Sequence, residues 1–285
     1  MKSPIALLGI TILLTVSLPA TMLAEISTPT VASGELDAFM KKWARYEPFK
    51  FPMDPKDEPL LVAALKKEPS GPWATYLLMK FAETRFEARS LGKAECAAIY
   101  RAALGYLKPA QGIALLAVKT KPASKELLDS LSAIEQAIEL ASLEAGVDLD
   151  KVKASANARL AGNTDVKSWN CGNIIYEANS TLGRLALRGG NIDDAKKYLI
   201  VAGKTPGSPQ LNSYGPDFIL ARELLEKNEK ATVLEFLNLV ESFWANTERP
   251  ADANAKRVAM DNLRKLQSWR EQIRAGKIAD DPQWK

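Results

Sequence analysis

Histidine is absent from the 285 residues, and cysteine occurs only at Cys96 and Cys171. Without imidazole there is no His-activated nucleophile, no His general base and no His metal ligand. Two thiols are too few for a Cys-rich zinc or iron–sulfur site. What remains for catalysis is carboxylate chemistry. Glu83 and Glu87, and Glu135 and Glu139, lie four apart on expected helices. That spacing puts both groups on one face, as glycoside hydrolysis or metal binding would use them. Solvated glutamates at the same spacing are commoner, so no catalytic residue, metal ligand or cofactor is assigned. Asp148 and Asp150, and Asp193 and Asp194, stand at expected helix starts and fit capping and dipole complementation. Gly189–Gly190 lacks the preceding strand and the following Gly-Lys-Ser/Thr of a phosphate loop. Asn179-Ser180-Thr181 is a glycosylation sequon placed inside an expected helix.

Recognition chemistry is better represented. Asn173, Glu177, Ser180, Arg184 and Arg188 recur at helical spacing, opposite an apolar stripe of Ile175, Ala178, Leu182, Leu185 and Ala186. Phe218 and Arg222 stand 38 positions beyond Ser180 and Arg184. Paired arginines can fork onto carboxylates, so an acidic peptide or a free C-terminus is the expected ligand. The alternative is that both arginines pair with local glutamates such as Glu177 or Glu226. Two polar loops carry aromatics: Trp169 and Asn170 in one, Asn212 and Tyr214 in the other. In stacked hairpins such loops form one rim; otherwise their Asn, Ser, Gly and Pro serve turns and caps.

These residues need elements to hold them, and the pattern supplies helices. At 47% hydrophobic and 25% charged, the composition is that of a globular chain. A net charge of +4, spread along the sequence, does not point to nucleic acid, and no such partner is expected. Leu36, Phe39, Met40, Trp43 and Tyr46 predict a short amphipathic helix. Pro48, Pro52, Pro55 and Pro59 then predict an extended connector. From Leu60 the periodicity is helical almost throughout: Leu60–Lys67, Trp73–Ser90, Lys93–Lys108 up to Pro109, Gln111–Lys119, a helix capped by Ser124 and ended by Gly146, and Asp148–Ala161. Two-residue alternation is not sustained anywhere, so the expected fold class is all-α. The last helix, about Ala251 to Ala275, carries Val258, Leu263, Leu266, Trp269 and Ile273 on one side and Arg257, Arg264, Lys265, Arg270 and Arg274 on the rest.

One stretch, Asn173 to Ser208, resembles a tetratricopeptide repeat, a helix–turn–helix unit of about 34 residues. The matching residues are Leu182 and Gly183 in the first helix, Gly190 at the turn, Ala195 and Ala202 in the second helix, and Pro206. A second, degenerate copy over residues 211–246 puts Leu220, Ala221, Arg222, Val233 and Val240 on Leu182, Gly183, Arg184, Ala195 and Ala202. A weaker copy covers Leu78–Pro109. Asn179 and Ala186 depart from the family, which favours Trp and Tyr there. The resemblance implies stacked antiparallel helical hairpins, a partly irregular α-solenoid. It also implies a concave groove lined by first helices, which binds a protein or peptide partner. On that expectation Asn173, Glu177, Ser180, Arg184, Arg188, Phe218 and Arg222 line the groove, and Trp169, Asn170, Asn212 and Tyr214 the rim. The function expected is a binding or scaffold module. The alternatives are a carboxylate-dependent hydrolase of cell-wall or sugar polymers and a membrane-anchored structural envelope protein.

The N-terminus reads as an address. Lys2, the apolar run Ile5–Val16, Pro19 and a small-residue stretch to Ala24 describe a secretory signal peptide. An uncleaved anchor is the other reading, since Ile5–Leu23 carries no charge. The organisation is then 1–24 signal peptide or anchor, 25–59 N-terminal helix and Pro-rich arm, and 60–285 helical-repeat domain. The expected location is periplasmic or secreted, with membrane contact only through an uncleaved N-terminus. In such a compartment Cys96 and Cys171 form a disulfide or stand as buried thiols.

Overall fold

The computed structural model describes residues 31–43, 57–69, 71–120, 124–163, 165, 167–246, 253–279 and 281–284. The expected signal-peptide segment, Tyr46 and the prolines at 48, 52 and 55 lie outside them. Within them the chain is all-α, with twelve α-helices, one closing 3₁₀ turn and no strand. The helices are α1 Ser33–Trp43, α2 Glu58–Lys67, α3 Trp73–Ala88, α4 Lys93–Thr120, α5 Lys125–Ala145, α6 Leu149–Gly162, α7 Cys171–Arg188, α8 Ile192–Gly203, α9 Pro209–Tyr214, α10 Ile219–Leu225, α11 Lys230–Trp244 and α12 Ala253–Arg274. The chain forms two compact units, one of residues 1–79 and 106–134, the other of 80–105 and 135–285.

In the first unit, α1 packs on α2, and an aromatic cluster joins α1 to α3. Phe39 and Trp73 have ring centroids 6.0 Å apart, Trp43 and Tyr76 5.7 Å apart. Tyr76 Oη donates to Trp43 O at 3.2 Å. Pro59 occupies the first turn of α2, where its missing N–H is no loss.

The sequence pattern misplaced one boundary. Pro109 does not end a helix: α4 runs through it to Thr120. A proline in a helix interior leaves the carbonyl four residues back without its donor, and its ring crowds that turn. Here that residue is Gly105, where even an added Cβ would meet nothing within 4 Å. Leu104, Leu107, Ala110, Ile113 and Ala114 are buried on both sides of the proline, so packing holds the helix together. The weak copy over 78–109 loses its terminating proline by the same observation.

The second unit holds the two hairpins. In the first, α7 turns into α8 at Gly190, whose φ is +78°. Gly190 N–H donates to Leu187 O (3.0 Å) and Asn191 N–H to Ala186 O (2.8 Å). This pairing satisfies the last carbonyls of α7. In the second, α10 turns into α11 at Asn228, with φ +67°. Asn228 N–H donates to Leu225 O (2.9 Å) and Glu229 N–H to Leu224 O (3.0 Å). Every residue in that second turn stands 38 positions after its counterpart, so the two turns share one hydrogen-bonded geometry. Ala195, Ala202, Val233 and Val240 are fully buried in both. Gly183 lies under the neighbouring first helix: a Cβ there would come within 2.4 Å of Leu220 Cδ2 and 3.2 Å of Tyr198 Cβ.

Caps and register differ in places from the sequence expectation. Ser124 Oγ accepts from Leu127 N–H at 3.3 Å and Gly146 closes α5 at φ +69°, both as expected. Asp148 does not cap α6. It adopts a left-handed backbone at φ +53° and its carboxylate pairs with Lys151 at 3.2 Å. Asn191 caps α8 instead of the two aspartates, accepting from Asp194 N–H at 3.0 Å. On α12, Val258 faces solvent and Arg270 is buried, reversing their expected sides. Arg270 Nη2 reaches Leu237 O at 3.0 Å and Glu241 Oε2 at 2.6 Å. That pairing lets the buried face turn to Ala259, Leu266, Trp269, Arg270 and Ile273.

Candidate functional site

The polar stripe of α7 is not an open groove face. Arg184, expected to await a ligand, keeps 7% of its side-chain surface. Its Nη1 and Nη2 fork onto Glu144 of α5 at 2.5 and 3.1 Å. Its Nε and Nη2 hold Glu223 of α10 at 3.0 and 2.8 Å. Burial works against the charge, but the two carboxylates outweigh it and hold the guanidinium above its ordinary pKa. Arg188 lies 3.6 Å from Glu144, which carries both. One layer along, Arg159 of α6 bonds Glu139 of α5 through a short contact and pairs with Glu177 at 3.4 Å. Thr181 Oγ1 donates to Glu139 Oε1 at 3.3 Å. The stripe is thus a helix-to-helix seam, because α5 and α10 bring acids to α7 and α6 brings Arg159. Burial, then the nearby Glu144 charge, raises the Cys96 thiol and pushes Tyr100 up to about 12.

The remaining expected groove residues divide. Ser180 is buried, Glu177 is exposed and paired with Arg159, and Phe218 is buried in an aromatic cluster. Phe218 therefore cannot line an open groove. Arg222 pairs with Glu226 at 3.4 Å, the local alternative the sequence offered. Arg184 also pairs locally in space, though with Glu144 and Glu223 rather than Glu177.

The two aromatic loops do come together, through Asn173. Its Nδ2 donates to Asn170 Oδ1 at 2.8 Å and to Gln210 Oε1 at 2.7 Å, while Ser208 Oγ donates to its Oδ1 at 2.5 Å. Thr205 Oγ1 donates to Gly172 O at 2.8 Å. Gly172 admits the opposite backbone: a Cβ would stand 1.9 Å from Gly207 O. Ser208 also caps α9, accepting from Leu211 N–H at 3.0 Å. With its amide nitrogen facing the two carbonyls, Asn212 donates to Ser208 O (3.1 Å) and Phe243 O (3.2 Å). This hydrogen-bonded knot fixes both loops. The rings of Trp169 and Tyr214 stand out beside it, 68% and 79% exposed. Sequence reading marked the loops but not Thr205 or Gln210. The signal available was the Thr205–Ser208 turn: Gly207 takes φ +79°, and its N–H donates to Thr205 Oγ1 at 3.3 Å.

Catalytic and metal chemistry find little here. The converging carboxylates each face a guanidinium, and Glu83 pairs with Lys80 at 3.5 Å. Among the described residues no group of three or more His, Cys, Asp or Glu could hold a metal ion. Cys96 and Cys171 are free thiols, with Asn163 Nδ2 3.4 Å from the Cys171 sulfur. The sequon asparagine is buried in α7, its amide bonded to Ile175 O at 2.7 Å. Comparison with protein-family models, curated proteins and solved structures returns no match for this chain.

Proposed function

We propose that this chain is an exported helical-repeat module that binds a protein or peptide partner through the Trp169–Tyr214 rim. The observation that carries the reading is the Asn173 knot with its two exposed rings. Loops locked before binding lose little freedom on association, and aromatic anchors on such a frame are what interaction hot spots use. The repeated left-handed turns at Gly190 and Asn228 support the tetratricopeptide-like reading of the two hairpins. The export reading rests on the N-terminal segment. Among the described residues no helix is long and apolar enough to cross a membrane. No feature of the geometry favours the hydrolase alternative, since the buried acids are already bound to arginines.

The test compares quantitative capture from an envelope extract by the wild type, a Trp169→Ala/Tyr214→Ala double variant and a Lys153→Ala control. Far-UV circular dichroism and melting should be unchanged in all three, because every replaced side chain is on the surface. The double variant should lose a defined set of partners that the control keeps. Equal capture by all three would remove the rim from the function.

A further inference from the structure

The chain beyond α12 folds back and plants one side chain in the second unit's core. Gly276, at φ +80°, turns the chain, and Pro282–Trp284 form a 3₁₀ turn against α10. Trp284 is 1% exposed. It stacks on Phe218 at 5.1 Å and 17° and meets Trp269 edge-on at 5.7 Å and 84°. Trp244 completes the box, 6.1 Å from Phe218 and 5.8 Å from Trp269. Gly215 lets the chain pass the box wall: a Cβ there would come within 2.5 Å of the Trp244 ring.

The segment is held as a bound peptide would be. Phe218 N–H donates to Gln283 O at 3.0 Å. Gln283 Nε2 donates to Tyr214 O at 3.0 Å, and Arg222 Nη1 reaches Trp284 O at 3.4 Å. Within the segment, Trp284 N–H bonds Asp281 O at 3.0 Å and Gln283 N–H bonds Asp281 Oδ1 at 2.9 Å. One aromatic anchor and three hydrogen bonds from a preformed turn are the chemistry by which short linear segments are recognised. The seat is also imperfect. The indole N–H groups of Trp284 and Trp244 are buried with no acceptor, as is the amide oxygen of Gln283. Each unmade bond weakens the closed state.

We propose that the box of Phe218, Trp244 and Trp269 is a recognition slot for a tryptophan-bearing peptide segment, and that the chain's own Asp281–Trp284 turn is its resident, displaceable occupant. The unpaired Trp244 donor is what a competing segment with a carbonyl at that point would satisfy. Phe218 and Arg222 thereby take a part that the groove reading did not give them: wall and mouth of a slot filled from within. The inference does not rest on the rim, whose rings lie outside the box.

The test uses the full chain and a synthetic peptide of residues 276–285, titrated by calorimetry. The slot is competent only when the resident turn is out, so the apparent affinity of the wild type is reduced by that fraction. Trp284→Ala removes the resident anchor and should bind the peptide at least roughly tenfold more tightly than the wild type does. A peptide carrying Trp284→Ala should bind neither protein. A second variant places a protease site between Lys277 and Ile278 and keeps every contact of the turn. After cleavage, the released segment should exchange for labelled peptide under native conditions. Failure of the peptide to bind a folded Trp284→Ala chain, equal binding to both proteins, or a cleaved segment that leaves only on denaturation would each overturn the proposal.

Discussion

Arg184 and Arg222 hold the same place in two hairpins 38 positions apart, yet their surroundings have nothing in common. Arg184 is enclosed and forks onto two glutamates from two other helices. Arg222 keeps 43% of its side-chain surface, meets Glu226 one turn along its own helix and touches the folded-back chain end. The backbone geometry repeats; the chemistry does not. Along α7 the polar stripe meets α5, α6 and α10, so it becomes a seam. Around Arg222 the polar side of α10 stays half open, and the Pro282–Trp284 turn partly covers it. Equivalent positions of two similar hairpins differ in what their side chains do because the helices packed against them differ.

The comparison breaks most decisively at the arginines. Arg184→Ala leaves Glu144 and Glu223 without their shared cation in a buried seam and should destabilise by about 3–5 kcal/mol. Arg222→Ala removes a half-exposed pair and should stay within about 1 kcal/mol. Urea unfolding of both variants measures the difference, and equal losses would end the distinction between seam and open stripe. Arg184→Met, which removes the charge but keeps the stem, should fall between them.

A smaller effect is expected where the hairpins touch. Gly183→Leu forces a side chain into Leu220 and should cost about 1–3 kcal/mol in overpacking. Ala221→Gly, at the equivalent position of the second hairpin, removes a methyl and should lose about 1 kcal/mol through helix propensity. Thermal melts of the two variants sharpen the contrast, because a neutral Gly183→Leu would mean that the first helices do not meet there.

The smallest effects come from the turns. Gly190→Ala puts a Cβ into a left-handed backbone and should lose about 1–2 kcal/mol. Asn228→Gly relieves the same conformation while loosening the unfolded chain, and should stay within about 0.5 kcal/mol of zero. Opposite or matched responses in denaturant midpoints would show whether the two turns are energetically as well as geometrically alike.

Much of this architecture is readable from local pattern. Gly183, Ala195 and Ala202 announce a tight hairpin because only small side chains fit such crossings, and Gly190 announces its left-handed turn; the structure packs the first three closely and gives Gly190 φ +78°. The failures share one cause, which is partners distant in sequence. Nothing local to Arg184 points to Glu144, 40 positions away. Arg270 looks like a surface cation until Leu237 and Glu241 are brought to it. Pro109 looks like a stop until the burial around it is known. The rim was legible as two polar aromatic loops. The knot that joins them was not, because an asparagine that caps and an asparagine that bridges have the same sequence signature.

The tryptophan box has an optical consequence. Trp244, Trp269 and Trp284 stand 5.7 to 5.8 Å apart in successive pairs. At such spacing indole transition dipoles couple, so the folded chain should show a strong near-ultraviolet circular dichroism couplet and rapid migration of excitation among the three rings. Trp169 stands outside the box in water and should emit at longer wavelength. The seated turn is therefore its own reporter: lifting Trp284 should weaken the couplet to what the Trp244–Trp269 pair supplies, while the far-ultraviolet helical signal stays in place.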